Sequence, residues 1–264
     1  WKLETIIYQL FDKKIILIPY GGDVWSIKQN HNRIQKLGHM ISTKKYFLLD
    51  KKREMRIYHW SKYANLIMAT INYIDFLPRI DILVYHGHVI KDISTYSYNF
   101  KKDVKLKIIH YANDTVRKGS SFIEASLTDQ GGNIDLEFYY GQTRELVLSK
   151  LDEAHIYIEQ ITDGFFSYSA LEAMLKGKIV FTYLDIEINQ MYKILDSSYY
   201  INFFDKLPIV NVNDTNIKQK IEEYINKDFD ELKEISLETR RFAEKLTKDN
   251  EKMYLKIFKD LRGI

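Results

Sequence analysis

The sequence contains no cysteine, which excludes both a disulfide framework and a thiolate metal site. It also lacks an apolar run near the roughly 18 to 20 residues that cross a bilayer, and its N-terminus lacks the order of a secretory signal. An excess of one charge sign is missing too, because 39 basic and 36 acidic residues leave a net charge of only +3. These absences argue against a dedicated nucleic-acid binder and favour a cytoplasmic protein of a reducing compartment.

The composition that remains is that of a globular protein with a sizeable core. Hydrophobic residues make up 45% and charged residues 28% of the chain, close to the average for soluble domains. A length of 264 residues favours two domains, because a single core stops growing at about 250 to 300 residues. The chain begins at Trp1 and runs into an apolar-periodic segment, so we expect the first domain to be incomplete.

Short apolar runs alternate with helix-like segments along the chain, and this alternation predicts parallel sheets of the α/β class. In the first part, strands are predicted at residues 14–18, 65–69 and 81–85, with a helix-like segment at 71–77. From residue 105 onward, five strands alternate with helices predicted at 118–128, 143–151, 167–176, 186–195 and 214–226.

The predicted domain boundary lies near residues 91–104, where apolar periodicity is lost and charge increases. We assign residues 1–97 to the first domain, 98–248 to the second, and 249–264 to a terminal helix. The whole tail from Asp230 is predicted to be helical, as two helices separated near residues 248–250.

Residues that follow the strands of a parallel sheet are the natural candidates for ligand binding, because ligands sit at the carboxyl ends of the strands. After the strand at 106–110 come Asn113, Arg117, Lys118 and Gly119, which the pattern places at the opening of a helix. A lysine and a glycine at a helix start suit a phosphate group, although an ordinary helix start explains the same pair.

Glu172 gives a sharper indication, because this carboxylate lies among small apolar residues on a predicted helix that Gly177 ends. A carboxylate near the first turn is favoured by the helix dipole and can accept hydrogen bonds from two vicinal hydroxyls, as a ribose diol requires. The alternative is an i,i+4 ion pair with Lys176 on a solvated face.

Three segments, at 110–127, 151–181 and 208–246, resemble the nucleotide-sugar-binding domain of GT-B glycosyltransferases of the family 4 type. The most specific part is the Glu-Ala-Met-x-x-Gly-Lys block from Glu172 to Lys178, and residues 13–25 resemble the glycine turn of the acceptor-side domain. The resemblance implies a GT-B-like α/β fold of two Rossmann-like, doubly wound parallel-sheet domains, the first incomplete. It also implies that the terminal helix crosses back to the first domain.

The resemblance further implies a retaining glycosyltransferase that moves a sugar from a nucleotide diphosphate donor to a glycan or lipid-linked acceptor, in cell-envelope polysaccharide or glycoconjugate synthesis. Many members carry an arginine at the place of Asn113 and a glutamate at the place of Gly164. The implied catalytic residues are Lys118, Arg117 and Asp23, with Asp23 equally explained as a turn cap. Donor-binding residues would be Asn113, Gly119, Gln160, Gly164, Phe165, Ser169 and Glu172, and acceptor-side residues Gly21 and Gly22.

Neither a metal nor an organic cofactor is expected, because the histidines are scattered and the donor is itself a substrate. His86 and His88 form the nearest thing to a pair, for which a structural role is favoured. The basic stretch at residues 44–56 suits a peripheral contact with the anionic inner face of a membrane. Two other functions stay open, namely a non-catalytic binding subunit on the same scaffold and a GT-B sugar-nucleotide epimerase.

Overall fold

The computed structural model describes most of the chain, in eight stretches: residues 2–24, 26, 43–84, 89–103, 105–128, 134–185, 190–191 and 203–262. The paired histidines His86 and His88 lie outside the described residues. So does nearly all of the helix predicted at 186–195.

The first part of the chain builds a small parallel sheet in the order β1-β2-β3. Its strands are short: β1 is Ile16–Leu17, β2 is Leu66–Ala69 and β3 is Ile82–Leu83. Two helices accompany it, α1 at Lys2–Leu10 and α2 at Thr43–Tyr63. Both faces are apolar, since Ile67 and Ala69 pack in one cluster and Met68 and Val84 in another, as expected for a sheet covered on two sides.

A larger parallel sheet follows, in the order β5-β4-β6-β7-β8. The strands are β4 Leu106–Ala112, β5 Ile134–Tyr140, β6 Ile156–Gln160, β7 Ile179–Thr182 and β8 Ile209–Asn211. The helices of this region are α3 Thr115–Lys118, α4 Ser120–Leu127, α5 Arg144–Glu153, α6 Tyr168–Leu175, α7 Ile217–Ile225 and α8 Phe229–Arg262.

Both faces of the larger sheet are buried, which explains why its strands read as near-continuous apolar runs. Along β6 the side chains alternate between two clusters, because Tyr157 packs in one and Ile156 and Ile158 pack in the other. This period-two alternation is the ordinary geometry of a strand. The sheet is therefore a doubly wound α/β unit, and the predicted fold class is confirmed.

Two sequence-based predictions of local structure were wrong, and one long helix was not predicted. Residues 71–73 form only a 3₁₀ turn in place of a helix across 71–77. The basic stretch at 44–56 lies within the long helix α2, which the sequence did not predict as a helix. The tail is one helix, α8, without a break near 248–250, because its buried stripe continues through Asn250 to Tyr254.

Helix α8 contacts both sheets. Ala243 and Leu246 belong to the core of the larger sheet. Further along, Tyr254 packs with Met68 and Val84 of the smaller sheet. Among the described residues, no helix is long and apolar enough to cross a membrane.

Candidate functional site

The strand order of the larger sheet creates a crevice between β4 and β6. The chain leaves β4 for β5 on one side and then returns to form β6 on the other, so the loops that follow β4 and β6 diverge at their carboxyl ends. In open α/β sheets this switch point is where ligands bind. Residues 113–119 and 161–167 form the two walls of the crevice.

Lys118 bridges these two walls. Its Nζ lies 2.9 Å from Oε1 of Glu159, near the end of β6. Glu159 is fully buried, and both of its oxygens also accept the backbone N–H of Ser167, at 3.0 and 3.2 Å. The helix predicted from residue 118 begins two residues later, at Ser120, and Lys118 is instead the last residue of the four-residue helix α3 that precedes it.

Arg117 lies beside Lys118 and pairs with Asp163, the neighbour of Gly164. The guanidinium donates from Nε to both carboxylate oxygens of Asp163, at 3.2 and 3.0 Å, and its Nη2 lies 2.9 Å from Oδ2. Burial lowers the pKa of Arg117, but the Asp163 carboxylate, together with smaller contributions from Tyr73 and Asp114, more than offsets this and raises it. Arg117 is therefore held as a fixed cation by the loop after β6.

The same arginine faces the smaller sheet across the gap between the two regions. Both terminal nitrogens of Arg117 lie 3.8 Å from the point where a Cβ on Gly21 would be. The Gly21 N–H donates to the hydroxyl of Tyr73 at 2.8 Å. Burial raises the pKa of Tyr73, and the nearby charges of Arg117 and Asp163 act on it in opposite directions. The turn at Gly21 and the ion pair of Arg117 and Asp163 therefore lie directly opposite each other.

Gln160 organises the loop that carries Asp163. Its Oε1 accepts the N–H groups of Thr162 and Asp163, at 2.5 and 2.7 Å, while its Nε2 donates to the carbonyls of Phe165 and Tyr183, each at 3.1 Å. Because the Gln160 side chain is fully buried and used by the protein in this way, it holds the loop in position. Its predicted contact with a donor stays a prediction.

Three other residues of the predicted donor pocket shape the same walls. Gly164 has φ +77°, a left-handed conformation that favours glycine. Phe165 is buried and stacks on Phe166 at a centroid distance of 4.8 Å. Gly119 has φ +71°, and a Cβ there would lie 2.5 Å from Cγ1 of Ile161, so this glycine allows the two walls to pack closely.

Glu172 lies further along the same edge, with two partners that the sequence did not predict. Its Oε1 accepts the Tyr96 hydroxyl at 2.9 Å and the Nε and Nη2 of Arg144 at 2.9 and 2.5 Å. The carboxylate raises the pKa of Tyr96, after burial as the larger cause, so Tyr96 stays a hydroxyl donor.

Two sequence-based descriptions of Glu172 are corrected by this geometry. It is the fifth residue of α6, in the second turn and not the first. The alternative of a solvated pair with Lys176 is wrong, because Glu172 is buried and Lys176 pairs with Asp152 at 2.5 Å.

Tyr157 connects the Lys118 end of the edge with the Glu172 end. Its hydroxyl donates to Oγ of Ser169 at 3.1 Å, and Ser169 in turn lies 3.0 Å from Oγ of Ser167. Burial raises the pKa of Tyr157, and the charges of both Glu159 and Glu172 raise it further. The two acidic groups are therefore close enough to act on one tyrosine.

The remaining predicted residues are more exposed. Asn113 accepts a hydrogen bond from the Tyr111 hydroxyl at 2.5 Å at the mouth of the crevice. Asp23 ends the 3₁₀ turn Gly21–Asp23 and pairs with Arg56 at 3.0 Å. The carbonyl of Gly22 accepts from Nε of Arg53 at 2.9 Å.

Two further features bear on the location of the site. A polar concavity of about 530 Å³ lies at the opposite edge of the larger sheet, where Lys107 pairs with Glu153 at 2.8 Å. That edge carries the amino ends of the strands, which is not where parallel sheets bind ligands. Across the described ranges, no group of three or more metal-ligating side chains is placed to hold a metal ion.

No protein-family model matches the chain, and no curated protein matches it. Solved structures do match. A sucrose-phosphate synthase from Thermosynechococcus elongatus aligns with a TM-score of 0.61 and 12% identity, covering 98% of this chain and 71% of that one. The chain has a GT-B-like fold.

Two more matches support this fold assignment. TarM aligns with a TM-score of 0.52 and 13% identity, covering 78% of this chain and 46% of that one. The GtfA/B complex gives 0.50 and 13%, covering 79% and 48%. The chain thus spans about half the length of these two proteins.

Proposed function

We propose that the chain is a retaining GT-B glycosyltransferase of the family 4 type, which moves a sugar from a nucleotide diphosphate donor to a glycan or lipid-linked acceptor. The observation that carries the proposal is the joint placement of Lys118 and Glu172. Both lie at the carboxyl edge of one sheet. Tyr157 lies near both Glu172 and Glu159, the partner of Lys118, because the charges of the two carboxylates raise its pKa. A cation and a carboxylate in this arrangement suit the diphosphate and the ribose of one nucleotide.

In the proposed reaction, the bond between the sugar and the diphosphate breaks while the acceptor oxygen bonds to the same face of the sugar, and the proton of the acceptor hydroxyl passes to the departing diphosphate. Negative charge grows on the departing diphosphate. Lys118 and Arg117 stabilise that charge because their positions are fixed beforehand, by Glu159 and Asp163. The loop ordered by Gln160 and the turn at Gly21, which faces Arg117 from the smaller sheet, exclude water from the crevice.

Glu172 is assigned to the two ribose hydroxyls. All its hydrogen bonds described above reach Oε1, from Tyr96 and Arg144. Arg144 is half exposed at its side chain, so it can move aside or share the carboxylate when a diol arrives. Tyr96 then keeps one oxygen oriented, and the ribose hydroxyls replace interactions that Arg144 made with Glu172.

The finer assignments rest on the sequence resemblance and stay proposals. They are a hexosyl donor, an acceptor in cell-envelope polysaccharide synthesis, a cytoplasmic location and a peripheral membrane contact. For the last, helix α2 offers exposed basic side chains, including Lys51, Lys52 and Arg56.

A non-catalytic binding subunit is the second candidate, and one observation favours it. Asn113 stands at the place where many family members have an arginine, so the diphosphate would have one cation fewer. Release of nucleoside diphosphate from a donor, or its absence, separates the two candidates. Interconversion of donor sugars without an acceptor would instead indicate an epimerase.

Titration with UDP, GDP and ADP and with their 2′-deoxy forms tests the proposal, first by thermal shift and then by calorimetry. A diphosphate that binds the native state raises the melting temperature. Replacement of Glu172 by alanine should weaken its binding by about 1.5 to 3 kcal/mol, the value of charge-assisted hydrogen bonds.

The 2′-deoxy forms make the test specific for the diol. The wild-type protein should prefer the ribonucleotide, and Glu172→Gln should lose most of that preference. Glu145→Gln, an exposed carboxylate on the adjoining helix α5, should keep it. An unchanged preference in folded Glu172→Gln would remove the ribose role.

A further inference from the structure

Glu159 is the most completely enclosed charged group at the site, yet the proposed reaction gives it no contact with the substrate. It lies on β6 and has no exposed surface. One of its partners is the Lys118 ammonium on the far wall of the crevice, and the other is the Ser167 N–H just before α6. The carboxylate therefore ties together three separate segments of the chain.

The pairing with Lys118 offsets the cost of burying the Glu159 carboxylate. A charge taken out of water is stabilised by an opposite charge and by hydrogen bonds, and Glu159 has both. The charge of Glu159 is felt nearby, since it raises the pKa of Tyr157, after burial as the larger cause. Lys118 itself keeps 15% of its side-chain surface exposed. The ammonium thus has a carboxylate on its buried side and the crevice on the other.

This arrangement has an electrostatic consequence for an anion in the crevice. The Lys118 and Glu159 charges sum to zero, and opposite charges this close cancel much of each other's field at a distance of several ångströms. A diphosphate is then attracted by the nearer ammonium but repelled by the carboxylate behind it. The ammonium keeps its position, whereas its net hold on the anion is reduced.

We propose that Glu159 is a positioning residue that fixes Lys118 and at the same time weakens the binding of the nucleoside diphosphate, so that the product can leave after transfer. The inference rests on the proposed function, because it requires the diphosphate to lie next to Lys118. A purely structural role for Glu159, as the acceptor that caps the start of α6, leads to the opposite expectation for ligand binding.

The test is the substitution Glu159→Gln, with the dissociation constants of UDP, GDP and ADP and of the matching nucleosides measured by calorimetry. Glutamine keeps an acceptor for the Ser167 N–H but removes the negative charge. For each diphosphate that the wild-type protein binds, we expect about tenfold tighter binding. The uncharged nucleoside should bind as it does to the wild type. A merely structural residue would give weaker binding of both ligands together with a lower melting temperature.

Two controls make the result specific to the Lys118 pair. Lys118→Met removes the ammonium itself, so it should weaken diphosphate binding and leave nucleoside binding unchanged. Glu137→Gln removes a carboxylate from an ion pair of similar length, that of Lys107 and Glu137 at 2.7 Å, at the opposite edge of the same sheet. It should leave nucleotide binding unchanged.

The outcomes separate this inference from the proposed function. Unchanged or weaker diphosphate binding by folded Glu159→Gln overturns the role of Glu159 alone. Unchanged diphosphate binding by folded Lys118→Met overturns the placement of the diphosphate next to Lys118, on which both proposals rest. Failure of the wild-type protein to bind any of the diphosphates overturns both proposals. If Glu159→Gln does not fold, Glu159→Asp supplies the test. Its shorter side chain keeps the negative charge but places it farther from Lys118. This change should lower turnover without tightening diphosphate binding.

Discussion

The carboxyl edges of the two sheets carry ion pairs of nearly equal length in very different surroundings. At the smaller sheet, the pair of Arg56 and Asp23 is 3.0 Å long, with 45% and 59% of the side chains exposed. At the larger sheet, the pair of Lys118 and Glu159 is 2.9 Å long, with 15% and 0% exposed. Water screens the first pair and leaves both side chains free to move, whereas burial fixes the second. Charge is therefore preorganised at only one of these two pairs.

Backbone turns show the same contrast. A Cβ on Gly22, in the turn after β1, would meet nothing within 4 Å, whereas a Cβ on Gly119 would overlap Ile161. The smaller sheet presents an open turn, and the larger sheet presents a tightly packed one. Three substitution experiments test this difference between the two sheets.

The largest effect is expected for Gly119→Ala. The substitution places a Cβ at positive φ and 2.5 Å from the Ile161 side chain, which should lower the free energy of unfolding by about 3 kcal/mol. Gly141→Ala is the matched control, because its φ is +62° but its Cβ would meet nothing within 4 Å. It should cost about 1 kcal/mol, and Gly22→Ala less than about 0.5 kcal/mol. Urea denaturation measures all three, and equal losses at Gly119 and Gly141 would contradict the tight packing.

A pH-dependent effect of similar size is expected from His110, buried on β4 beneath Lys118. Its Nδ1 donates to the Ile158 carbonyl and its Nε2 accepts from the Ser120 hydroxyl, both at 2.8 Å. Burial lowers the pKa of His110 from 6.5 to about 4. The unfolded chain therefore binds a proton at a higher pH than the folded one. The stability from the neutral histidine is complete above about pH 6.5 and is lost as the pH falls toward 4, by about 3 kcal/mol.

Urea denaturation between pH 4 and 8 checks this prediction, with His110→Gln as the comparison. The variant should lose less stability on acidification than the wild type, while all other titrating groups remain in both proteins. Parallel stability profiles for the two proteins would show that His110 does not carry the effect.

The smallest effect is expected at the smaller sheet. Arg56→Ala removes the exposed partner of Asp23 and should change the free energy of unfolding by less than about 0.5 kcal/mol, since exposed pairs contribute little. Arg53→Ala provides a contrast on the same helix, because Arg53 pairs with the buried Asp50 at 2.6 Å. A loss at Arg56 as large as at Arg53 would mean that the edge of the smaller sheet is more ordered than its exposure indicates.

How well each feature of this molecule can be predicted from its sequence depends on how far apart in the chain the residues that determine it lie. The strands of the larger sheet were predicted closely, because two-sided burial produces apolar runs that can be seen locally. Glycine positions also predicted helix ends, because this signal too is local in the sequence, and Gly177 does follow α6 with φ +74°. Helix α2 was missed because its many charged residues hide the few buried positions, such as Ile57.

Side-chain partners were much less predictable than strands. Glu172 was identified, but its partner Arg144 lies 28 positions away and Tyr96 lies 76 away, and no local pattern joins them. Glu159 lies within the segment 151–181 that carries the family resemblance, but no role was predicted for it, since a buried acid becomes recognisable only once its cation is known. The break predicted near 248–250 rested on polar residues there, of which Asn250 is in fact fully buried.

Helix α8 restricts how the two sheets can move relative to each other when the crevice closes. At 34 residues it is about 50 Å long, and it is seated on the larger sheet near Leu246 and on the smaller one near Tyr254. A continuous helix that contacts both sheets resists stretching far more than twisting. The two sheets should therefore rotate relative to each other about the axis of α8, with the distance between them along that axis nearly constant. Small rotations near α8 then produce larger displacements at Gly21 and Arg117.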